Sequence, residues 1–318
     1  MNAKADLIAL RYFLAVAESG SYSGAASALR LTQPAVSRQI QYLERFYKTR
    51  LFRREGRRFA VTETGKQLAV EAKAILARFD ALESVIGVAS REPSGDLSVG
   101  VTWAAGESLL PQALALFRAK YPKVFLHVMQ DSSNRLADAL ISRKLDIAVL
   151  YHRPREKELD FEPLMEIELG LIVPNEKSKL MPVDLSRRKS ITLSQVSRLP
   201  LILPAKGQVL RDLIENNCAA QKIDPNIVME SDSMPLSKSL VKAGLGYTVL
   251  ALGGVYEEVQ RSELRFVPIH SPPIPWRMFI ATPKDGTKTL AVKAMSQELS
   301  AYIRSHATNL RWNGHIFS

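Results

Sequence analysis

Residues 21–46 read SYSGAASALRLTQPAVSRQIQYLERF, and they set the architecture of everything before residue 62. Ser23 stands where it can cap a short helix over Gly24–Leu29, whose Ala25, Ala26 and Leu29 let backbones approach closely. A tight turn at Arg30-Leu31 follows. Thr32 is the expected N-cap of a longer helix opening Gln33-Pro34-Ala35, where a proline is tolerated because its missing N–H would have no intrahelical partner. Val36, Ile40, Leu43 and Phe46 recur as the apolar stripe of that helix, while Gln33, Ser37, Arg38 and Gln41 share the opposite face. A short helix, a tight turn and a longer helix displaying Gln, Ser and Arg from its first half predict a helix-turn-helix. Its side chains suit base edges, since Gln pairs bidentately with adenine and Arg with guanine.

On the N-terminal side, Leu7, Leu10, Leu14 and Ala17 form the stripe of a first helix that Gly20-Ser21 stops. On the C-terminal side, Leu51-Phe52 and Phe59/Val61 predict a hairpin, with Arg53, Arg54, Arg57 and Arg58 around Gly56 as a basic wing for the phosphate backbone. The charge agrees. The chain of 318 residues carries a formal net charge of +11, which makes polyanionic partners plausible without saying anything of the fold. Nine basic side chains against only Glu44 and Glu55 fall within residues 30–58.

From Glu63 to about Ala89 proline is absent, and Leu68, Ala72, Ile75, Phe79, Leu82 and Ile86 are spaced by alternating fours and threes. That is a heptad-type seam on a helix roughly 40 Å long at about 1.5 Å per residue. Two readings stand side by side: a dimerisation seam, and a helix packed on its own domain. Arg91-Glu92-Pro93-Ser94-Gly95 reads as a hinge. Beyond it strands and helices alternate: strand Leu97–Thr102, helix Leu109–Lys120, strand Val124–Met129, helix Asn134–Ser142, strand Ile147–Leu150. A second set starts near Met165 with strands Ile167–Val173 and Leu201–Leu203, helix Gln208–Gln221, strand Ile227–Met229, helix Leu236–Ala243 and strand Tyr247–Leu250. The chain returns near Val267–Ile269 through strand Arg277–Ala281 and helix Leu290–Ile303. The pattern predicts two α/β lobes crossed by two strands, with a cleft between them. Ligands in such sheets sit at strand carboxyl ends near helix N-termini, which here means Thr102-Trp103, Ser132-Ser133, Tyr151-His152, Pro204–Gly207 and Thr248.

The stretch YFLAVAESGSYSGAASALRLTQPAVSRQIQYLERFYKTRLFRREGRRFAVTETG (12–65) resembles the DNA-binding domain of LysR-type transcriptional regulators. The likeness rests on Ala25-Ala26, Leu29, Thr32-Gln33-Pro34-Ala35-Val36-Ser37, Ile40, Leu43-Glu44, Leu51-Phe52-Arg53-Arg54 and Thr62–Gly65. Tyr47-Lys48-Thr49 departs from a common Gly, and Thr64 from a common Ala. The later part resembles the effector-binding domain of that family, itself similar to periplasmic solute-binding proteins. The resemblance implies an antiparallel linker-helix pair and a pocket lined by Thr102, Ser133, Tyr151, Pro204 and Thr248, to which the strand-end reading adds Trp103 and Ser132. Where the family often has a further hydroxyl this chain has Ala104, which with Trp103 favours a flatter or more apolar ligand. TWAAGESLLP (102–111) and DIAVLY (146–151) are similar, within the family, to nitrogen assimilation control regulators, and assign no pathway.

The resulting organisation is an α/β multidomain chain. It comprises a winged helix-turn-helix at 1–62, a linker and dimerisation helix at 63–90, a hinge at 91–94, effector-binding subdomain I at 95–164 and 269–304, subdomain II at 165–268, and a tail at 305–318. DNA contacts are expected from Thr32, Gln33, Pro34, Ser37, Arg38, Gln41, Arg53, Arg54, Arg57 and Arg58. His127, His152, His270, His306 and His315 lack metal-ligand spacing, phosphate-cradling glycine motifs are absent, and Asp146 and Glu44 have no partner acid. No catalytic set, metal or cofactor is expected. With Cys218 alone, the two-cysteine redox sensing of some family members is excluded, and a reducing cytosol fits. The start MNAKADLIALRYF has no signal-peptide core and no 18-residue apolar run occurs, so a cytoplasmic protein without a membrane partner is expected. The expected partners are dyad-symmetric double-stranded promoter DNA, RNA polymerase, further copies of the chain as dimer or tetramer, and an unidentified small-molecule effector. The alternatives are a nucleoid-type DNA-binding protein, and a solute-binding protein or enzyme with a basic dimerisation arm.

Overall fold

The computed structural model describes residues 7–55, 58–85, 92–151, 157–175, 185, 188–284, 288–306 and 314–316. Two compact units make up the chain, Met1–Arg91 and, apart from a short segment at Asp285–Leu290, the remainder.

The first unit holds α1 (Leu7–Ser19), α2 (Tyr22–Leu29), α3 (Gln33–Phe46), the hairpin β1 (Phe52–Glu55) and β2 (Arg58–Val61), and α4 (Glu63–Val85). Its core is the sum of the apolar stripes, with Phe13, Val16, Val36, Ile40, Leu43 and Leu51 fully buried. Phe13, Tyr22, Phe52 and Phe59 form a ring cluster with Phe52 stacked on Phe59 at 4.9 Å. The cap of α2 is Ser21, whose hydroxyl accepts from Gly24 N, and not Ser23. The helix therefore starts at Tyr22, which frees that ring to reach the wing. Phe46 is exposed, because the C-terminal turn of α3 runs past the core and leaves the ring against Tyr42 and Tyr47 instead.

Glu44 joins α3 to the wing. Its carboxylate accepts from Leu51 N at 2.8 Å and from Arg50 Nη1 at 3.0 Å. The first turn of α4 docks at the same place, where Thr62 Oγ1 donates to Arg50 O and accepts from Gly65 N. A Cβ at Gly65 would collide with the Leu51 carbonyl, which is why glycine stands there. The apolar seam of α4 divides. Ala72 is fully buried and Leu68 packs on the core of this unit, joined by Leu76, whereas Ile75 and Phe79 are exposed. A stripe expected to face one way thus divides, because the core of this unit covers Leu68, Ala72 and Leu76 but neither Ile75 nor Phe79. The side chain of Leu82, and all of Ile86, lie outside the described residues.

The second unit runs β3 (Gly95–Val101), α5 (Trp103–Ser108), α6 (Leu110–Lys120), β4 (Val124–Gln130), α7 (Ser133–Ile141), β5 (Ile147–Tyr151) and β6 (Leu159–Pro174). It continues with β7 (Ile191–Thr192), α8 (Leu193–Val196), β8 (Leu201–Leu203), α9 (Val209–Ala220), β9 (Ile227–Glu230), α10 (Met234–Lys242), β10 (Thr248–Ala251), a 3₁₀ turn at Leu252–Gly254, α11 (Tyr256–Gln260), β11 (Leu264–His270), β12 (Pro275–Pro283), α12 (Leu290–His306) and β13 (Gly314–Ile316). The main sheet is ordered β4-β3-β5-β12-β6-β11-β7, with β10 and β13 also paired to β6. The parallel β4-β3-β5 set is the first lobe; β8, β9, β10 and β11 with α9 and α10 form the second.

The sixteen-residue β6 ties them together. Its first half pairs with β12 and its second half with β10 and β11, all antiparallel. Sequence alternation predicted only Ile167–Val173 of it. The single helix predicted over Leu109–Lys120 is preceded by a separate turn, α5, broken from α6 at Leu109. The tail contributes an edge strand, Gly314↔Ile167 through Ile316↔Met165. Asp146 is structural, its carboxylate accepting from Ser98 N at 2.8 Å. Among the described residues no helix is long and apolar enough to cross a membrane, and no group of His, Cys, Asp or Glu could hold a metal ion.

Candidate nucleic-acid interface and ligand cleft

In the first unit the buried stripe of α3 fixes which face is left over. Thr32, Gln33, Pro34, Arg38 and Gln41 are exposed and Ser37 is half-buried. Thr32 occupies the N-cap position, but its side chain makes no cap bond, so its hydroxyl is not consumed by the helix. Arg38 and Arg45 lie along the helix surface, each Nε donating back one turn, to Pro34 O at 3.4 Å and Gln41 O at 3.3 Å. The face is a row of donors and acceptors beginning at a helix N-terminus. Of the wing arginines, Arg53 is exposed on β1. Arg54 and Arg58 lie on the paired strands, opposite Phe59 and Glu55, with side chains outside the described residues, and Arg57 lies wholly outside them. Arg45, Lys48 and Arg50 at the far end of α3 add positive charge that the motif reading had not assigned.

In the second unit a cleft of about 810 Å³ of empty space, partly open to solvent, lies between the lobes. All seven residues expected there line it: Thr102, Trp103, Ser132, Ser133, Tyr151, Pro204 and Thr248. Ala104 is a lining residue as well. The strand-end rule explains the convergence. Thr102 follows β3 at the N-cap of α5, Ser132 is the N-cap of α7, and Tyr151 ends β5. His152 lies outside the described residues.

Hydrogen bonding divides the hydroxyls of the cleft. Ser133 Oγ accepts from Tyr151 N at 3.2 Å, and Ser231 and Ser237 each donate to Ser233 O. Thr102 Oγ1, Ser132 Oγ and Tyr151 OH are buried and have no partner. Neither Thr102 nor Ser132 makes the side-chain cap bond that its position offers. Unpartnered buried polar atoms are rare, and these three converge on one cleft. Burial also pushes the Tyr151 phenol well above its usual range, so it stays protonated and can donate.

The cleft contains residues that sequence reasoning missed. Trp276 stacks on Tyr151 at 5.0 Å, and Leu169, Val209, Leu210, Met234 and Leu250 supply apolar wall. Trp276 and Met234 escape that reasoning because the sequence pattern starts β12 at Arg277 and α10 at Leu236, each two residues late. Asp131 and Asp232 are acidic lining residues already engaged by backbone, accepting from Ser132 N and Ala205 N. Arg211, 4% exposed, holds the Pro204 loop by donating to Pro204 O at 3.0 Å and pairing with Glu215 and Glu230.

Comparison with known proteins gives the same division of the chain. Residues 7–66 match the family described as bacterial regulatory helix-turn-helix protein, lysR family, and residues 90–304 match the LysR substrate binding domain. The chain is 31% identical over 310 residues to the HTH-type transcriptional regulator BbuR of Bordetella bronchiseptica, covering 98% of this chain and 94% of that one. It is 30% identical over 301 residues to a probable RuBisCO transcriptional regulator of Trichormus variabilis, covering 91% and 86%. In fold it is similar to full-length OxyR from Pseudomonas aeruginosa (TM-score 0.76, 19% identity, 92% and 94% covered). It is similar also to CbnR, a LysR family transcriptional regulator (TM-score 0.62, 19% identity, 94% and 99% covered). These relatives belong to different subgroups and place the chain in none. The chain belongs to the LysR-type transcriptional regulators, as a DNA-binding regulator with an effector-binding domain and not an enzyme.

Proposed function

We propose that this regulator binds a dyad-symmetric promoter site as a dimer or tetramer and is switched by a small molecule in the cleft between its lobes. The observation that carries the reading is the set of three buried hydroxyls, Thr102, Ser132 and Tyr151, left without partners around one apolar cleft. All three stand on the first lobe, at the ends of β3 and β5 and the start of α7. The polar end of the ligand docks there, and its flatter, apolar body meets Trp103, Trp276 and the second-lobe wall of Met234 and Leu250. The ligand's contacts with both lobes change their spacing, and through it the spacing of the paired DNA-reading units, DNA bending and recruitment of RNA polymerase.

Thr32, Gln33, Pro34, Ser37, Arg38 and Gln41 read the major groove, and Arg53, Arg54, Arg57 and Arg58 hold the backbone. A solved complex of CbnR, similar in fold, with its target DNA supports DNA as the partner. The domain limits follow the same division: 1–62 for the reader, 63–90 for the linker helix, 91–94 for the hinge, then the two subdomains and the tail. Pairing between copies uses the exposed Ile75 and Phe79 on α4, with edge strand β4, where Phe125, Val128 and Met129 are exposed, as a second contact. The chain works in the cytoplasm, where the promoter is. A nucleoid-type role would leave the cleft without a use.

The test is fluorescence anisotropy of the full chain against the intergenic DNA upstream of its own gene, with random-sequence DNA as competitor. Arg38→Ala is expected to lose about 1–3 kcal/mol of discrimination at one base position. Unchanged affinity and preference in Arg38→Ala would rule out α3 as the reader, and equal competition by random DNA would favour the nucleoid-type role.

A further inference from the structure

Lys238 is a lysine out of its ordinary place. It sits in the middle of α10 with only 7% of its surface exposed. An ammonium offers three donors, and here they meet three acceptors: Glu107 Oε2 at 3.0 Å, Glu258 Oε1 at 2.8 Å and Gly254 O at 3.1 Å. Glu258 on α11 and Gly254 in the 3₁₀ turn belong to the second lobe, as Lys238 does. Glu107 is on α5, in the first.

The elements tied by this ammonium are those that line the cleft. The α5 helix carries Trp103 and Ala104, and α10 carries Met234 and Ser237. The 3₁₀ turn packs against both: a Cβ at Gly254 would stand 3.0 Å from Met234 Sδ on α10 and 3.3 Å from Ala104 Cβ on α5. A second bond crosses between the lobes from Asn134 Nδ2 to Gly207 O at 2.8 Å, but it is neutral and exposed. Buried ion pairs add little net stability, because desolvation offsets attraction, yet losing one partner is costly; their best-attested use is to fix register.

Resting on the reading of the cleft as the ligand site, we propose that Lys238, through Glu107, is the pin that sets the spacing of the two cleft walls and so positions them for the ligand. Glu107→Gln weakens the arm that crosses between lobes and leaves Lys238 held by Glu258 and Gly254 O. Glu258→Gln weakens an arm internal to the second lobe. The two substitutions remove the same charge from the same ammonium, and only the first should move the lobes.

The experiment measures the distance between spin labels by pulsed electron paramagnetic resonance on the full chain. Labels are placed at Asp138→Cys on α7 and Asn216→Cys on α9, both exposed sites. The native Cys218 is buried, and burial pushes its thiol up to about 11, so it does not compete for label. Labelled chains are diluted with unlabelled ones so that distances within a protomer dominate. In Glu107→Gln the distribution is expected to shift or broaden by more than about 2 Å, the scale of a true rearrangement, in a chain that still unfolds in one cooperative step. Glu258→Gln should superpose on the parent. Distributions that superpose for all three proteins, or that move alike in both variants, would overturn the pin. A parent chain that does not prefer its upstream DNA would sink the regulatory reading and leave the distance result standing.

Discussion

Ser132 and Ser133 are neighbours at the start of α7, line the same cleft, and should answer the same substitution with opposite signs. Ser132 Oγ is buried without a partner and makes no cap bond. Replacing an N-cap serine by alanine normally costs about 1 kcal/mol because a bond to the helix is lost, but here there is none to lose. Removing an unpartnered buried polar atom instead relieves a desolvation penalty of about 1–3 kcal/mol. The cleft is partly open, so the lower end applies and Ser132→Ala is expected to gain up to about 1 kcal/mol. Ser133 Oγ accepts from Tyr151 N at 3.2 Å. Ser133→Ala orphans that buried N–H and should cost about 1–2 kcal/mol. The two variants therefore differ by about 2 kcal/mol in opposite directions, with identical changes in composition. Urea unfolding followed by tryptophan fluorescence reads this unit alone, because Trp103, Trp276 and Trp312 all lie outside residues 1–91. With m unchanged, midpoints on opposite sides of the parent are expected. Equal shifts, or a loss above about 1 kcal/mol for Ser132→Ala, would mean that its hydroxyl is structurally engaged and the sorting of hydroxyls is wrong.

Thr102→Val removes another unpartnered hydroxyl and should leave urea stability within about 1 kcal/mol of the parent or raise it, while abolishing the effector response in a promoter–reporter assay. Gly65→Ala drives a Cβ into the Leu51 carbonyl. It should destabilise the first unit by about 1–3 kcal/mol, seen as faster hydrogen exchange in α1 and α3 and weaker DNA binding. Phe79→Glu puts a charge on the exposed face of α4 and is expected to lower the oligomeric state in sedimentation; an unchanged sedimentation coefficient would remove that face from the interface. The thiol of Cys218 is raised from 9.0 to about 11, chiefly by burial, with Asp224 and Glu215 adding to it. A raised folded value means that its contribution is present below pH 9 and lost as the pH climbs through about 11. Dithionitrobenzoate at pH 8 should therefore react only with unfolded chains.

The reader was legible because helical periodicity, a proline in a first turn and a tight turn each depend on neighbours within a few residues. Val36, Ile40 and Leu43 were assigned to the buried face on spacing alone and are fully buried. Phe46 continues that spacing, yet α3 outruns the core before reaching it. The seam of α4 shows the same limit: alternating spacings of three and four identified a stripe, but which part meets the reader and which stays free depends on where α1 and α3 lie. In the α/β unit, strand ends gave the cleft because the chain topology forces them together. Trp276 and Met234 fall in the two residues by which the sequence pattern starts each element late, at boundaries where the hydrogen bonds that start a strand or a helix are set by distant partners.

Whether a given hydroxyl caps its helix or serves a ligand is the point on which sequence is silent, since Ser or Thr before a helix reads identically in both cases. Geometry separates them. Thr192 forms a full capping box with Gln195, and Ser21 and Ser233 each accept a bond from their own helix. Thr102 and Ser132 stand at equivalent positions, face the cleft, and accept nothing. A fold selected only for stability would fill those two positions with groups that bond or with groups that need no bond. Their persistence beside Tyr151, while the polar groups of α10 one wall away are engaged, places the cost of an unmet hydrogen bond on the first lobe. In the proposed reading a ligand docking there recovers that cost, and its binding energy is concentrated on one wall. The other wall is held at its distance from the first by the contact of Lys238 with Glu107.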